Sequence, residues 1–178
     1  MIVRLRQQGD IAACVQSLAR VHATDGYPTR WPADPSAWLT PRNLLAAWVV
    51  EEARALLGHV ALCGAEDDMG APTWSAACDR PAELIAEVGR LFVAPDARGR
   101  GLGAALLETA CAEACRRGLW PALKVLEHDQ AAIALYERVG WRRVASTRMP
   151  WAVAHESEAL LHYYIAPDQF GRALDEAE

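Results

Sequence analysis

Apolar positions recur along this chain with two periods, and the places where the period changes mark out its elements. Ile2 to Arg6 reads as a strand. Asp10 to His22 reads as a helix with Ile11, Val15, Leu18 and Val21 on one face and Asp10 as its cap. Thr24 to Pro41 is rich in Pro, Asp and aromatics, and predicts a loop with a short helix near Pro35 to Leu39. Leu45 to Glu51 and Leu56 to Cys63 flank a charged turn and suit an antiparallel hairpin. Gly64 to Pro81 reads as a surface loop that returns to a strand over Glu83 to Val93. A long helix then runs to about Arg117, where Gly118 ends it. Pro121 to Leu126 is a short strand, and Asp129 is placed to cap a helix that runs to Val139 and stops at Gly140. Strands near Trp141 to Thr147 and Ala159 to Ile165 complete the order, which predicts a mixed α/β (α+β) sheet with helices on both faces.

Composition narrows the function classes. The 178 residues fit one domain, 1–178, with no repeat or linker dividing them. Net charge is −5 with no long basic run, so nucleic acid is not an expected partner. No apolar stretch approaches a membrane span or a signal segment, and the chain reads as cytoplasmic. The five cysteines show no C-x-x-C spacing, and an odd count argues against a complete disulfide framework. Cys111 and Cys115 share a helix face but have no His or third Cys beside them in sequence, so they read as packing residues and no metal is expected.

The strongest chemical signal lies between the strand ending at Val93 and the long helix: Ala94-Pro95-Asp96-Ala97-Arg98-Gly99-Arg100-Gly101-Leu102-Gly103-Ala104. Three glycines in five positions let a backbone approach a ligand closely, and the helix that follows directs unpaired N–H groups at it. Arg98 and Arg100 add charge where an anion would sit. Such a loop suits a pyrophosphate, and two ligand classes carry one. A dinucleotide would match Gly99-x-Gly101-x-x-Ala104, with Glu127 ending the next strand as the acidic partner. Spacing opposes it, because five residues including Pro95 and Asp96 separate strand from glycine.

The second class is coenzyme A, and here the residues resemble a family. Arg98-Gly99-Arg100-Gly101-Leu102-Gly103 is similar to the R/Q-x-x-G-x-G/A loop of GNAT-type N-acetyltransferases, preceded by Leu91-Phe92-Val93-Ala94-Pro95. A second block, Asp129-Gln130-Ala131-Ala132-Ile133-Ala134-Leu135-Tyr136-Glu137-Arg138-Val139-Gly140-Trp141, resembles the family's N-x-x-A-x-x-L-Y-E-x-x-G-F, with Asp for Asn and Trp for Phe. The resemblance covers about residues 83–141. It implies a mostly antiparallel sheet of about seven strands with a splayed cofactor cleft, acetyl-CoA as co-substrate, and acceptor-side elements near 23–42 and 142–166. A homodimer has precedent in the family.

Roles follow from the resemblance residue by residue. The backbone from Arg98 through Gly99, Arg100, Gly101, Leu102 and Gly103 to Ala104 would hold the pyrophosphate. Leu91, Phe92, Val93, Asp129, Ala132 and Tyr136 would also bind the cofactor, the backbone of Leu91 and Val93 pairing with the pantetheine arm. Tyr136 would donate a proton to the departing thiolate, and Glu87 would take one from the amine, directly or through water. Glu83 and Glu51 are weaker candidates for that base. The expected acceptor is a primary amine on a small molecule or amino-acid derivative. A protein N-terminus or lysine stays open, as does a non-catalytic coenzyme A sensor. Tyr27, Trp31, Trp38, Trp151, Tyr163 and Tyr164 are the candidate aromatic lining, Asp25, Asp34 and Glu156 candidate ammonium partners, and His128 a candidate contact.

Overall fold

The computed structural model describes residues 1–149, 159–167 and 170. Among them, seven strands form one sheet in the order β1-β2-β3-β4-β5-β7-β6. The strands are β1 (Ile2–Leu5), β2 (Leu44–Glu52), β3 (Ala55–Gly64), β4 (Ile85–Val93), β5 (Trp120–Leu126), β6 (Arg142–Met149) and β7 (Ala159–Ile165). Pairing is antiparallel for β1 with β2, β2 with β3, β5 with β7 and β6 with β7, and parallel for β4 with β5. Helices α1 (Ile11–Asp25), α2 (Pro35–Leu39), α3 (Ala71–Cys78), α4 (Leu102–Arg116) and α5 (Gln130–Arg138) lie between them. Packing divides the chain into two compact units, residues 1–63 with 88–110 and residues 64–87 with 111–178.

In the first unit the apolar face of α1 keeps Ile11, Leu18 and Val21 of the predicted stripe, with Cys14 buried beside them and Val15 only half-buried. Ile11, Cys14, Leu18 and Val21 are buried with Leu39, Val49 and Phe92. Gly26, in the left-handed region at φ 72°, ends the helix and donates to the His22 carbonyl at 2.9 Å. Asp10, expected to cap α1, makes no side-chain capping bond. Its carboxylate is taken instead by Arg4 at 2.7 and 2.9 Å, and by the Gln7 amide. The capping device appears at α2, where Asp34 accepts from the Ala37 amide at 3.0 Å ahead of Pro35. The β2–β3 hairpin turns through Ala53 and Arg54, both at positive φ (49° and 67°), which gives the primed twist that a two-residue turn between antiparallel strands requires.

In the second unit the expected surface loop at 64–81 contains helix α3. One tryptophan explains it: Trp74 is fully buried against Ala65, Ile85, Ala122 and Tyr163. Gly70 makes room for it, since a Cβ there would come within 2.7 Å of the indole. The strand expected from Glu83 begins instead at Ile85, after a 3₁₀ turn over Ala82–Leu84. Helix α5 follows Asp129 without a side-chain capping bond, so that expectation is corrected as well.

Candidate functional site

In the first unit, β4 feeds a 3₁₀ turn at Pro95–Ala97, then the glycine loop, then α4. Gly99 and Gly101 sit at φ 72° and 76°, and a Cβ added at either would meet nothing within 4 Å. The constraint there is backbone conformation rather than space, which leaves the loop open to a ligand. Arg98, Gly99, Arg100 and Gly101 are exposed, and Leu102 is buried as α4 begins. As the start of a 15-residue helix, the Leu102, Gly103 and Ala104 segment supplies N–H groups with no carbonyl one turn earlier within the helix. Gly58 of β3 lets this machinery pack closely, because a Cβ there would lie 3.0 Å from both Leu106 Cδ1 and the Phe92 carbonyl.

The loop's arginines are not free cations awaiting an anion, which corrects the sequence expectation. Arg98 directs Nε at the Val93 carbonyl (3.3 Å) and both Nη groups at the Asp25 carboxylate. Arg100 pairs with Glu52 at 2.7 Å, and Arg20 with Asp96 at 3.0 Å. Alternate residues 96, 98 and 100 are thus stapled to α1 and to the end of β2. The arginines hold the loop's shape, and its backbone and the helix terminus remain for an anion. Phe92 likewise turns its ring inward, stacked on His59 at 5.3 Å, so only its backbone is left for a ligand.

Within β4, Arg90 adopts φ 51°, a left-handed conformation that a long side chain rarely takes. A single such residue interrupts the extended strand one position before Leu91. Arg90 is held there by a hydrogen bond from Nε to the Trp38 carbonyl and by stacking of its guanidinium on the Trp38 ring at 5.2 Å.

In the second unit, Glu87 is buried and its Oε1 accepts from Lys124 Nζ at 2.5 Å. The same ammonium reaches Asp68 Oδ2 at 2.5 Å and lies 5.4 Å from the centre of the Trp74 ring. Burial disfavours the charge on Lys124, but the two carboxylates together outweigh that and hold its pKa above the ordinary lysine value. Sequence reading singled out Glu87 and missed Asp68 and Lys124. A lysine inside the apolar run Ala122-Leu123-Lys124-Val125-Leu126 was the signal available for them.

Tyr136 on α5 is also buried, against Trp141 and Tyr164, with ring centres 6.2 and 6.1 Å away. Burial, with Asp129 and Tyr164 contributing, pushes its hydroxyl well above the usual phenol range, so it is protonated at neutral pH. Ala132 is half-buried on the same helix.

The remaining candidates have structural roles or lie apart. Tyr163 and Tyr164 are core residues, Tyr27 and Trp38 are half-buried and pack edge to face, and Trp31 is exposed. Asp25 and Asp34 are committed to Arg98 and to the α2 cap. His128 is exposed and 3.8 Å from Asp129. Trp151 and Glu156 lie outside the described residues. Cys111 is buried and Cys115 Sγ faces the Phe170 carbonyl at 3.7 Å. Among the described residues no group of three His, Cys, Asp or Glu is arranged to hold a metal ion.

The dinucleotide alternative fails on this geometry. Glu127, the ribose ligand it calls for, accepts instead from the Leu160 amide at 3.0 Å, and β4 and β5 pair in parallel within a mostly antiparallel sheet. A glycine turn delivering a helix N-terminus, fed by the central strand of such a sheet, instead suits a phosphate-bearing ligand of another class. The chain belongs to the acetyltransferase (GNAT) family, whose model matches residues 12–141, and the family's acyl donor is acetyl-CoA. Mycothiol acetyltransferase of Geodermatophilus obscurus is 31% identical over 147 residues, which is 79% of this chain but 44% of that protein. The chain therefore spans less than half the length of this relative. An N-acetyltransferase of Staphylococcus aureus Mu50 superposes with TM-score 0.71 at 17% identity, covering 93% of this chain and 96% of that one. A Salmonella typhimurium acetyltransferase solved with acetyl-CoA gives 0.69 at 21% identity over 93% and 92%. The ribosomal-protein-S18-alanine N-acetyltransferase of Escherichia coli gives 0.65 at 21% identity over 92% of each chain. At these identities the structures share the fold.

Proposed function

We propose that residues 1–178 form one N-acetyltransferase domain that moves the acetyl group of acetyl-CoA to the primary amine of a small molecule or amino-acid derivative. The observation that carries this reading is the Arg98–Ala104 loop: two glycines at positive φ, open space above them, and the first turn of α4 behind. That arrangement fits a pyrophosphate held by backbone N–H groups. The backbone of Leu91 and Val93 is offered to the pantetheine arm in the manner of an added strand. A relative named for mycothiol supports a small-molecule acceptor.

The amine attacks the thioester carbonyl directly, forming the C–N bond as the C–S bond breaks. An amine with a reference pKa near 10.4 costs about 4 to 5 kcal/mol to deprotonate at pH 7, so a base is useful. Glu87 has Oε1 on Lys124, and Oε2 is the oxygen left to take the proton directly or through a water. The departing thiolate takes a proton from Tyr136. With a thiol pKa near 8.5 that proton is worth only about 2 kcal/mol at pH 7, whereas orienting the two reactants is worth roughly 7 to 11. The chain would work in the cytoplasm, consistent with no helix among the described residues being long and apolar enough to cross a membrane.

The experiment is calorimetric titration with acetyl-CoA, NAD as control, followed by thiol release across a panel of amines and peptides with free N-termini. Donor binding with amine-dependent release supports the transferase. Binding without release from any acceptor would favour the sensor, and no donor binding would overturn the reading.

A further inference from the structure

A pair of half-buried cations in the first unit has no part in the chemistry above. Arg6, which follows β1, and Arg90 of β4 both contact His59, itself fully buried on β3, Arg6 through its guanidinium and Arg90 through its carbonyl. Arg6 Nη1 donates to the Leu39 carbonyl at 2.7 Å and to His59 Nε2 at 2.8 Å, and Nη2 donates to Thr40 Oγ1 at 3.1 Å. Arg90 donates to the Trp38 carbonyl and, weakly, to Cys63 Sγ at 3.7 Å. His59 Nδ1 is 2.9 Å from the Arg90 carbonyl. A carbonyl only accepts, so Nδ1 carries the proton and Nε2 offers a lone pair to Arg6, which only donates. The ring is therefore neutral, in keeping with a pKa that burial lowers to about 3.

The consequence is a charge imbalance. Both guanidiniums are anchored by neutral acceptors, and among the described residues neither has a carboxylate within ion-pair distance. Arg4, Arg20, Arg98, Arg100, Arg116 and Arg117 each have one. Asp10, the acidic residue with an influence on Arg6, already has its oxygens on Arg4 and the Gln7 amide. Burial and the like charge of Arg90 both act against the charge on Arg6. Two such cations without a counterion cost free energy, and a bound anion offsets that cost. Donors remain for one: Arg6 Nε and Arg90 Nη2 carry no hydrogen bond among the described residues. The Trp38 ring supplies an apolar wall beside Arg90.

We infer that Arg6 and Arg90 bind the carboxylate of the acceptor, which makes that acceptor an amino-acid-like amine rather than a neutral or polycationic one. The inference rests on the acetyl-transfer reading and names its acceptor class. Arg90 directly precedes Leu91, against whose backbone the donor arm is proposed to lie, so a carboxylate held there keeps a nearby amino group close to the thioester. The two remaining donors, Arg6 Nε and Arg90 Nη2, suit the two oxygens of one carboxylate. His59 is a positioning residue, holding Arg6 and the Arg90 backbone in register.

The test has two arms. Arginine Nε resonances of the unaltered protein are followed by NMR during titration with N-acetylglycine, and with N-acetylglycinamide as the uncharged control; Arg6 and Arg90 are identified by loss of their signals in Arg6→Lys and Arg90→Lys. Saturable shifts of both with the acid and neither with the amide are expected. Equal responses to acid and amide, or none, would overturn the inference without any acceptor being known. In the second arm, thiol release compares amino acids with their amides. The acids should exceed the amides at least about tenfold in kcat/KM, mostly through KM, and Arg90→Gln should erase the difference. Equal use of acids and amides by the unaltered protein would overturn the proposal. Donor calorimetry stands apart from both arms: absence of acetyl-CoA binding overturns acetyl transfer, while the titration still decides the anion site.

Discussion

At the scale of single residues, the site shows how burial assigns a proton. Tyr136 and Glu87 are both buried, yet one lies among aromatic rings and the other holds an ammonium. Burial keeps the hydroxyl of the first protonated at rest, and the carboxylate of the second is paired with Lys124. Tyr136→Phe should therefore retain acetyl-CoA affinity and lose roughly tenfold to a thousandfold in kcat, measured by steady-state thiol release against calorimetric binding. Unchanged kcat would remove the acid role. The sequence made Glu87, Tyr136 and the glycines legible because each belongs to a local pattern. Asp68, Lys124, Arg6 and His59 belong to none: Lys124 meets partners 37 and 56 residues away, and Arg6 meets His59 across 53. Charges set inside apolar strands mark such residues as unusual without saying what they touch.

At the scale of elements, turns carry as much information as cores. Gly101→Val would force a β-branched residue to φ 76°, so acetyl-CoA binding should disappear in calorimetry while circular dichroism stays native. The Ala53-Arg54 turn offers the opposite change. Both residues occupy positive φ without being glycine, and replacing them with Asn-Gly should raise stability by about 1 kcal/mol in urea denaturation. The hairpin, α1, α2 and the glycine-loop helix follow from the sequence within a residue or a few because caps, turns and period agree there. Helix α3 does not. Its eight residues carry one large anchor, Trp74, among small residues, and its flanks are rich in Gly, Pro and Asp. What selects helix is the tertiary burial of that indole, which no local pattern announces.

At the scale of the whole molecule, the buried histidines set the acid limit. His59 titrates near 3 when folded against an ordinary 6.5, and burial lowers His162 in the same direction. The unfolded chain binds these protons at a higher pH than the folded one. Stability is then complete above about pH 7 and falls as pH drops below 6.5 toward 3, by up to about 1.4 kcal/mol per pH unit for one such group. Asp10 and Glu113, both held near 2 by hydrogen bonds from arginines, add a further loss between the ordinary carboxylate range and pH 2. Urea midpoints at pH 7.5, 6, 5 and 4 check the sign: a midpoint that does not fall between 7.5 and 5 would contradict a buried, neutral His59.

The stapled loop also bears on how donor binding responds to ionic strength. A polyanionic ligand usually loses affinity steeply as added salt competes for the protein's cations. Here Arg98 and Arg100 are already neutralised by Asp25 and Glu52, and the chain as a whole is negative. Salt has little attraction to screen away and some repulsion to relieve. Acetyl-CoA affinity should therefore change less than about threefold between low and moderate salt. Asp25→Asn with Glu52→Gln, by unmasking the two guanidiniums, should tighten binding at low salt and restore a steep dependence.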